Sequence, residues 1–288
     1  MSDTGRSTIS EPYQRVLGWL QKKGISPLSL TPMSGYTNHV FLVTQPDPSY
    51  PQQSVLRLAD FSLSAELCPL AHDFDKVVQK HIAVAELGLA PGVIMADQSV
   101  GAIWLQYAGQ NVALEQNGFV EIYELLMRLH HSGFIWADGS QASLEVLLHG
   151  VLRELQQEGG ACLAQAQQLS TLIEQGVQRG YFQYPLSPVH GDLNPGNLLH
   201  DGQRWWLIDW DFAGMQVREW DFAGLIVEHD WEVTQAQQFV PGIALHDMKW
   251  FCSCFAFLSW HWHQQRGSDQ RILAGKWQTM QYWITLKR

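Results

Sequence analysis

The sequence predicts an α+β chain in two lobes: a small β-rich N-terminal lobe over residues 1–107 and a larger, mainly helical C-terminal lobe over residues 108–288. Three observations carry this. Short apolar runs rich in β-branched and aromatic residues, Val40-Phe41-Leu42-Val43, Ser54-Val55-Leu56-Arg57-Leu58 and Ile103-Trp104-Leu105-Gln106-Tyr107, read as strands and all precede residue 108. Beyond it, apolar residues recur at helical spacing in three long stripes. The length, 288 residues of which 46% are apolar, is enough to bury a large core in one big domain or two lobes.

Residues 11–23 place Val16, Leu17 and Leu20 on one helical face and stop at Gly24, which marks a short opening helix. Met33-Ser34-Gly35-Tyr36-Thr37-Asn38-His39 enters the first strand through a turn. Arg57 is the single cation of the second strand. Residues 74–87 are helical by the spacing of Val77, Val78, Ile82 and Val84, end at Gly88 and have Pro91 beyond. The strand at 103–107 runs into a loop, and residues 106–110 divide the lobes. Ile122, Leu125, Leu126 and Leu129 form the first helical stripe, ending near Gly133. Leu144, Leu147, Leu148, Val151, Leu152 and Leu155 form the second, with Ser143 at its N-cap. Leu163, Leu169, Leu172 and Ile173 form the third. Asp201-Gly202, between Leu198-Leu199 and Trp205-Trp206-Leu207-Ile208, marks a hairpin with Asn197 and Asp209 near its open ends.

The formal net charge of −10 argues against a nucleic-acid partner, which would need a basic face. No run reaches the ~20 apolar residues of a membrane span; the longest candidate, 250–262, is interrupted by Ser253, Ser259 and His261. Residues 1–10 lack the basic start and apolar stretch of a signal peptide. The expectation is a soluble cytoplasmic protein with no membrane association; the sequence sets no oligomeric state. Cys68, Cys162, Cys252 and Cys254 suit neither a disulfide framework nor a zinc site and are expected as small apolar side chains. His261 and His263 point to different faces of a helix and are not expected to share a metal.

The chemistry concentrates in His190-Gly191-Asp192-Leu193-Asn194-Pro195-Gly196-Asn197 and in Leu207-Ile208-Asp209-Trp210-Asp211. A loop carboxylate can orient an acceptor hydroxyl and take its proton, and hard oxygen donors can share a magnesium ion with substrate phosphates. These residues resemble the aminoglycoside phosphotransferase and choline kinase superfamily, whose loop runs His-Gly-Asp-x-x-x-x-Asn and whose metal motif is Ile-Asp-Trp or Ile-Asp-Phe. Protein kinases carry His-Arg-Asp and Asp-Phe-Gly instead. The small-molecule branch is the one resembled, and bacterial thiamine kinases share the chain length and a Trp-rich end.

That resemblance implies a bilobal protein-kinase-like fold, ATP and Mg2+. It makes Asp192 the catalytic base, with His190 and Asp221 supporting its loop, and Asn197 and Asp209 the metal ligands. Ser34 and Gly35 would cover the nucleotide phosphates, Arg57 would contact the nucleotide, and Gln106 and Tyr107 would line the adenine hinge. The family also pairs its strand cation with a helix glutamate, which has no evident counterpart here. Asp75 is taken as the substitute, with Asp73 behind it and Glu66 as an alternative.

For the acceptor, seven acidic residues from Asp209 to Glu232 face one basic residue, Arg218, and are interleaved with Trp210, Phe212, Trp220, Phe222 and Trp231. Carboxylates and aromatic faces together suit a small organic cation. By resemblance Asp211 and Glu228 line that pocket and Trp260 and Trp262 close it. The expected reaction is phosphorylation of a cationic alcohol such as choline, ethanolamine or thiamine. Two alternatives stand beside it: an aminoglycoside phosphotransferase, and a catalytically inactive kinase-like binding protein, which the missing helix glutamate would suit.

Overall fold

A five-stranded antiparallel sheet organises the N-terminal part of the structure, a computed structural model that describes residues 10–35, 37–63, 67–136 and 143–286. The chain divides into two compact units, Met1–Gln110 with His200–Asp211, and Asn111–Leu199 with Phe212–Arg288.

In the first unit, α1 (Glu11–Lys22) leads into β1 (Ser29–Met33), β2 (Asn38–Thr44), β3 (Gln53–Ala59), the one-turn α2 (Pro69–His72), α3 (Phe74–Glu86), β4 (Val93–Asp97) and β5 (Ala102–Gln106). The strand order is β1-β2-β3-β5-β4. Side chains alternate across a sheet, and this one is covered on both faces. Leu56, Leu58, Ala102 and Trp104 pack with Val16, Trp19 and Leu20 of α1, whereas Ile103 and Leu105 pack with Phe74 and Val77 of α3. Arg57 stands between Leu56 and Leu58 and so projects to the α3 side, where it is only 6% exposed. The buried indoles keep their N–H groups bonded: Trp104 Nε1 donates to Ser54 Oγ at 2.7 Å and Trp19 Nε1 to Asp97 Oδ2 at 2.8 Å.

The two-residue β6 (Gln110–Asn111) follows, and the second unit opens with α4 (Phe119–His130), α5 (Leu144–Glu158) and α6 (Leu163–Arg179). The three apolar stripes map onto these helices, and Ser143 Oγ accepts the Val146 N–H at 3.3 Å as the N-cap of α5. After β7 (Leu186–Val189) come β8 (Leu198–His200), β9 (Trp205–Leu207) and β10 (Gly214–Val217), then α7 (Glu219–Glu228), α8 (Val233–Phe239), α9 (Leu245–Gln265) and α10 (Gln270–Thr285).

Sequence periodicity does not signal β7 and β10, which pair antiparallel with Val189 opposite Gly214. A two-stranded ribbon consists of edge strands, so Pro188 is tolerated there. The pairing clamps the base of the excursion that carries both motifs. That excursion divides: Asn197 and the loop before it belong to the second unit, and His200–Asp211 to the first. Within the first unit, the Leu207 N–H donates to Leu89 O at 2.9 Å, and a Cβ on Gly109, at φ +89°, would clash with the His200 carbonyl. Residues 250–262 fall within α9, and among the described residues no helix is long and apolar enough to cross a membrane. Cys68, Cys252 and Cys254 are buried, Cys162 is partly so, and all four are free thiols.

Candidate active site

The His190–Asn197 loop follows β7 and hangs from one buried carboxylate. Asp221, in the first turn of α7, accepts the backbone N–H of His190 at 2.9 Å and of Gly191 at 2.9 Å. His130, the last residue of α4, adds a third donor, its Nε2 lying 3.0 Å from Asp221 Oδ2. A carboxylate only accepts, so the imidazole donates. Below this anchor, the Asp192 N–H donates to His190 Nδ1 at 3.3 Å. Asn194 Nδ2 donates to both Asp192 oxygens at 3.2 Å, and Asn197 Nδ2 to Asp192 Oδ2 at 3.1 Å and to its carbonyl at 2.8 Å. Asn111 holds the far end through the carbonyls of Pro195 and Leu198. Asp192 and Asn197 therefore meet, with the carboxylate oriented from two sides. Residue spacing does not reveal His130 or Asn194 as parts of this array.

A second cluster lies in the first unit. Arg57 Nη2 donates to Asp211 Oδ1 and Oδ2 at 2.9 and 3.0 Å and to Asp209 Oδ1 at 3.0 Å. Asn38 Nδ2 donates to Asp211 Oδ2 at 3.3 Å, and Cys68 Sγ to Asn38 Oδ1 at 3.3 Å. Burial works against the Arg57 charge, but the pull of Asp209 and Asp211 outweighs it and raises the guanidinium's pKa. Burial pushes the Asp211 carboxyl up, to about 6, against the lowering pull of Arg57. Asp209 sits at φ +65°, a left-handed conformation that aspartate tolerates better than most residues and that clusters at functional sites. Its side chain is 30% exposed, against 1% for Asp211.

The sequence profile of the phosphotransferase enzyme family matches residues 29–247. The chain belongs to that family. Its fold recurs in choline kinase LicA from Streptococcus pneumoniae, at 16% identity with a TM-score of 0.76, covering 96% of this chain and 100% of that one. A choline/ethanolamine kinase family protein from Mesorhizobium loti is similar at 20% identity, covering 89% and 88% of the two chains with a TM-score of 0.67. The GDP and kanamycin complex of APH(2")-IIia is similar at 16% identity, covering 95% and 98% with a TM-score of 0.67. No curated protein sequence matches the chain.

In this phosphotransferase the remaining expected residues fall in both units. Ser34 and Gly35 lie exposed between β1 and β2, where a Cβ on Gly35 would clash with the Asn38 carbonyl. Gln106 ends β5 exposed, its N–H bonded to Gly92 O at 2.9 Å, and Tyr107 follows half-buried. Asp75 is exposed in the first turn of α3 and Asp73 pairs with Lys76 at 3.5 Å, so among the described residues neither reaches Arg57. Glu66 lies outside the described residues. Asp211, expected at the acceptor, is instead turned onto Arg57 and Asn38. Glu228 is paired with Lys276 and accepts from Ser259 Oγ at 2.8 Å, so its charge is answered within the chain. Trp260 is buried against Phe257 and Trp277; Trp262 is half-buried beside His263 and Arg266.

Proposed function

We propose that the protein transfers the γ-phosphoryl group of ATP to the hydroxyl of a small organic molecule, with Asp192 as the general base. The observation that supports this reading most directly is the Asp192 carboxylate, half-buried, oriented by Asn194 and Asn197 on a loop tied to Asp221. A base acts only when held within reach of the proton it takes. Asp192 accepts the hydroxyl proton, the alcohol oxygen bonds to the γ-phosphorus, and ADP leaves. His190 and Asp221 keep the loop in place.

Asn197 and Asp209 are the magnesium ligands of this reading. The Asn197 NH2 is turned to Asp192, so its amide oxygen is the end for a cation, and Asp209 adds a carboxylate. Hard oxygen donors of this kind fit magnesium. When bound, the ion neutralises charge on the transferred phosphoryl group. The first unit is assigned the nucleotide: Arg57 and the Ser34-Gly35 turn take the phosphates, and the Gln106-Tyr107 segment takes the adenine. Arg57 Nη1 is buried without a hydrogen-bond partner among the described residues, a donor that a phosphate oxygen would satisfy. The second unit is assigned the acceptor, and the reaction is assigned to the cytoplasm.

The acidic, aromatic composition of 209–232 suits a cationic alcohol such as choline, ethanolamine or thiamine, and the pairing of Asp211, Asp221 and Glu228 within the chain weighs against it. The Glu228–Lys276 pair favours a second reading, in which the acceptor brings no net positive charge to Glu228. ADP release with magnesium and ATP, measured over choline, ethanolamine, thiamine, kanamycin and homoserine, separates the two. Asp192→Asn is expected to lower turnover by about 10²–10⁴-fold. Full turnover in that variant removes Asp192 as the base, and nucleotide binding with no turnover on any acceptor favours a binding protein.

A further inference from the structure

The strand arginine of this chain is buried on the sheet face that α3 covers, and α3 offers it no carboxylate. The residues α3 buries are Phe74, Val77, Lys80, His81 and Val84, none of them acidic, and its first-turn Asp75 is exposed. A guanidinium this far from water requires a compensating anion. It has one from 154 positions further along the chain. Both Asp211 oxygens meet Arg57 Nη2, and Asn38, the first residue of the neighbouring strand, fixes the second oxygen. The two aspartates around Arg57 differ in access. Asp211 is dry, while Asp209 keeps nearly a third of its side chain in solvent and makes one bond to the same nitrogen.

We propose that Asp211 is a positioning residue: it holds Arg57 for the nucleotide from the segment after the metal motif, the task a helix carboxylate would otherwise perform, and it does not bind the acceptor. The dry contact to Asp211 fixes the guanidinium, and the wetter Asp209 stays available for exchange when ligand arrives. The arrangement also makes the turn after Asp209 part of the nucleotide site, because moving Asp211 moves Arg57. This inference rests on the reading of Arg57 as a nucleotide-contacting residue.

Equilibrium titration with ADP, which needs no acceptor, tests it in the wild type, Arg57→Ala, Asp211→Asn, Asp211→Glu, Asp75→Ala and the Arg57→Ala/Asp211→Asn double variant, in magnesium and again in EDTA. Loss of one charge-assisted contact sets the scale: Asp211→Asn is expected to weaken ADP about tenfold or more. Asp211→Glu, which keeps the carboxylate and guards against a variant that fails to fold, should recover part of that loss. The double variant should bind no worse than Arg57→Ala alone, and the effect of Asp211→Asn should persist in EDTA. Wild-type ADP affinity in Asp211→Asn overturns the proposal, as does a loss that adds to that of Arg57→Ala. A loss that disappears in EDTA overturns it too, because Asp211 would then act through the metal. Weakening by Asp75→Ala with none by Asp211→Asn returns the role to the helix. Wild-type affinity in Arg57→Ala removes the reading of Arg57 itself, a separate failure.

Discussion

Asp211 and Asp221 are equally hidden, 4% and 1% exposed, yet they are compensated in opposite ways. Asp211, in the first unit, is met by a guanidinium and one amide; Asp221, in the second, is met by two backbone N–H groups and an imidazole. A carboxylate answered by a cation holds a side chain, and both partners can be removed together. One answered by backbone donors holds the main chain, and its partners cannot be removed at all. The difference shows why burial alone does not tell what an acid does: the donors that reach it decide.

The largest effect is expected at Asp221. Asp221→Ala strands the His190 and Gly191 N–H groups and His130, at a cost of about 3–5 kcal/mol in urea unfolding. No partner substitution should restore it, and an unchanged unfolding midpoint would break the comparison. Asp211→Asn should cost less, about 2–3 kcal/mol, because Asp209 still faces Arg57. Here the paired change Arg57→Met/Asp211→Leu should recover most of the stability while losing nucleotide affinity. A double variant no more stable than the single one would show that the charge is compensated elsewhere.

Asp97 sharpens the contrast with a smaller effect, since it is less buried and draws on both kinds of donor: the Ser99 N–H at 3.1 Å and Lys23 Nζ at 3.2 Å, with Ser99 Oγ at 2.6 Å and Trp19 Nε1 at 2.8 Å beside them. The hydrogen bond from Ser99, then those from Trp19 and Lys23, hold its pKa below the ordinary carboxylate value. A depressed folded-state pKa stabilises above the unfolded value and loses that contribution as pH falls toward the folded one. Asp97→Asn should therefore cost about 1 kcal/mol at neutral pH. The gap between the melting curves of the two proteins should begin to narrow only as pH falls below about 4; a gap that widens in acid would reverse the sign and remove the argument.

Much of the fold was legible because its signals are local. Apolar spacing marked α3 and the helices from α4 to α6, Ser143 marked the start of α5, and Asp201-Gly202 marked the hairpin turn. The meeting of Asp192 and Asn197 has the same local origin, since an amide five positions on can reach back to the carboxylate. The pairing of the acids after Asp209 was not legible. The acids of 209–232 read as a cation trap in the linear sequence, but Asp211 answers Arg57, Asp221 answers the loop and Glu228 answers Lys276. Each of those partners lies tens to more than a hundred positions away. Pairing over such distances leaves no periodic trace.

By itself the sequence determined the main helices and the central strands, where the His190–Asn197 motif lies, and which residue types are at hand for chemistry, because propensity and spacing act over a few residues. Only the tertiary structure decided which charges are already matched. Folding brings remote side chains within hydrogen-bond range, and there electrostatics depends on distance and burial rather than on order along the chain.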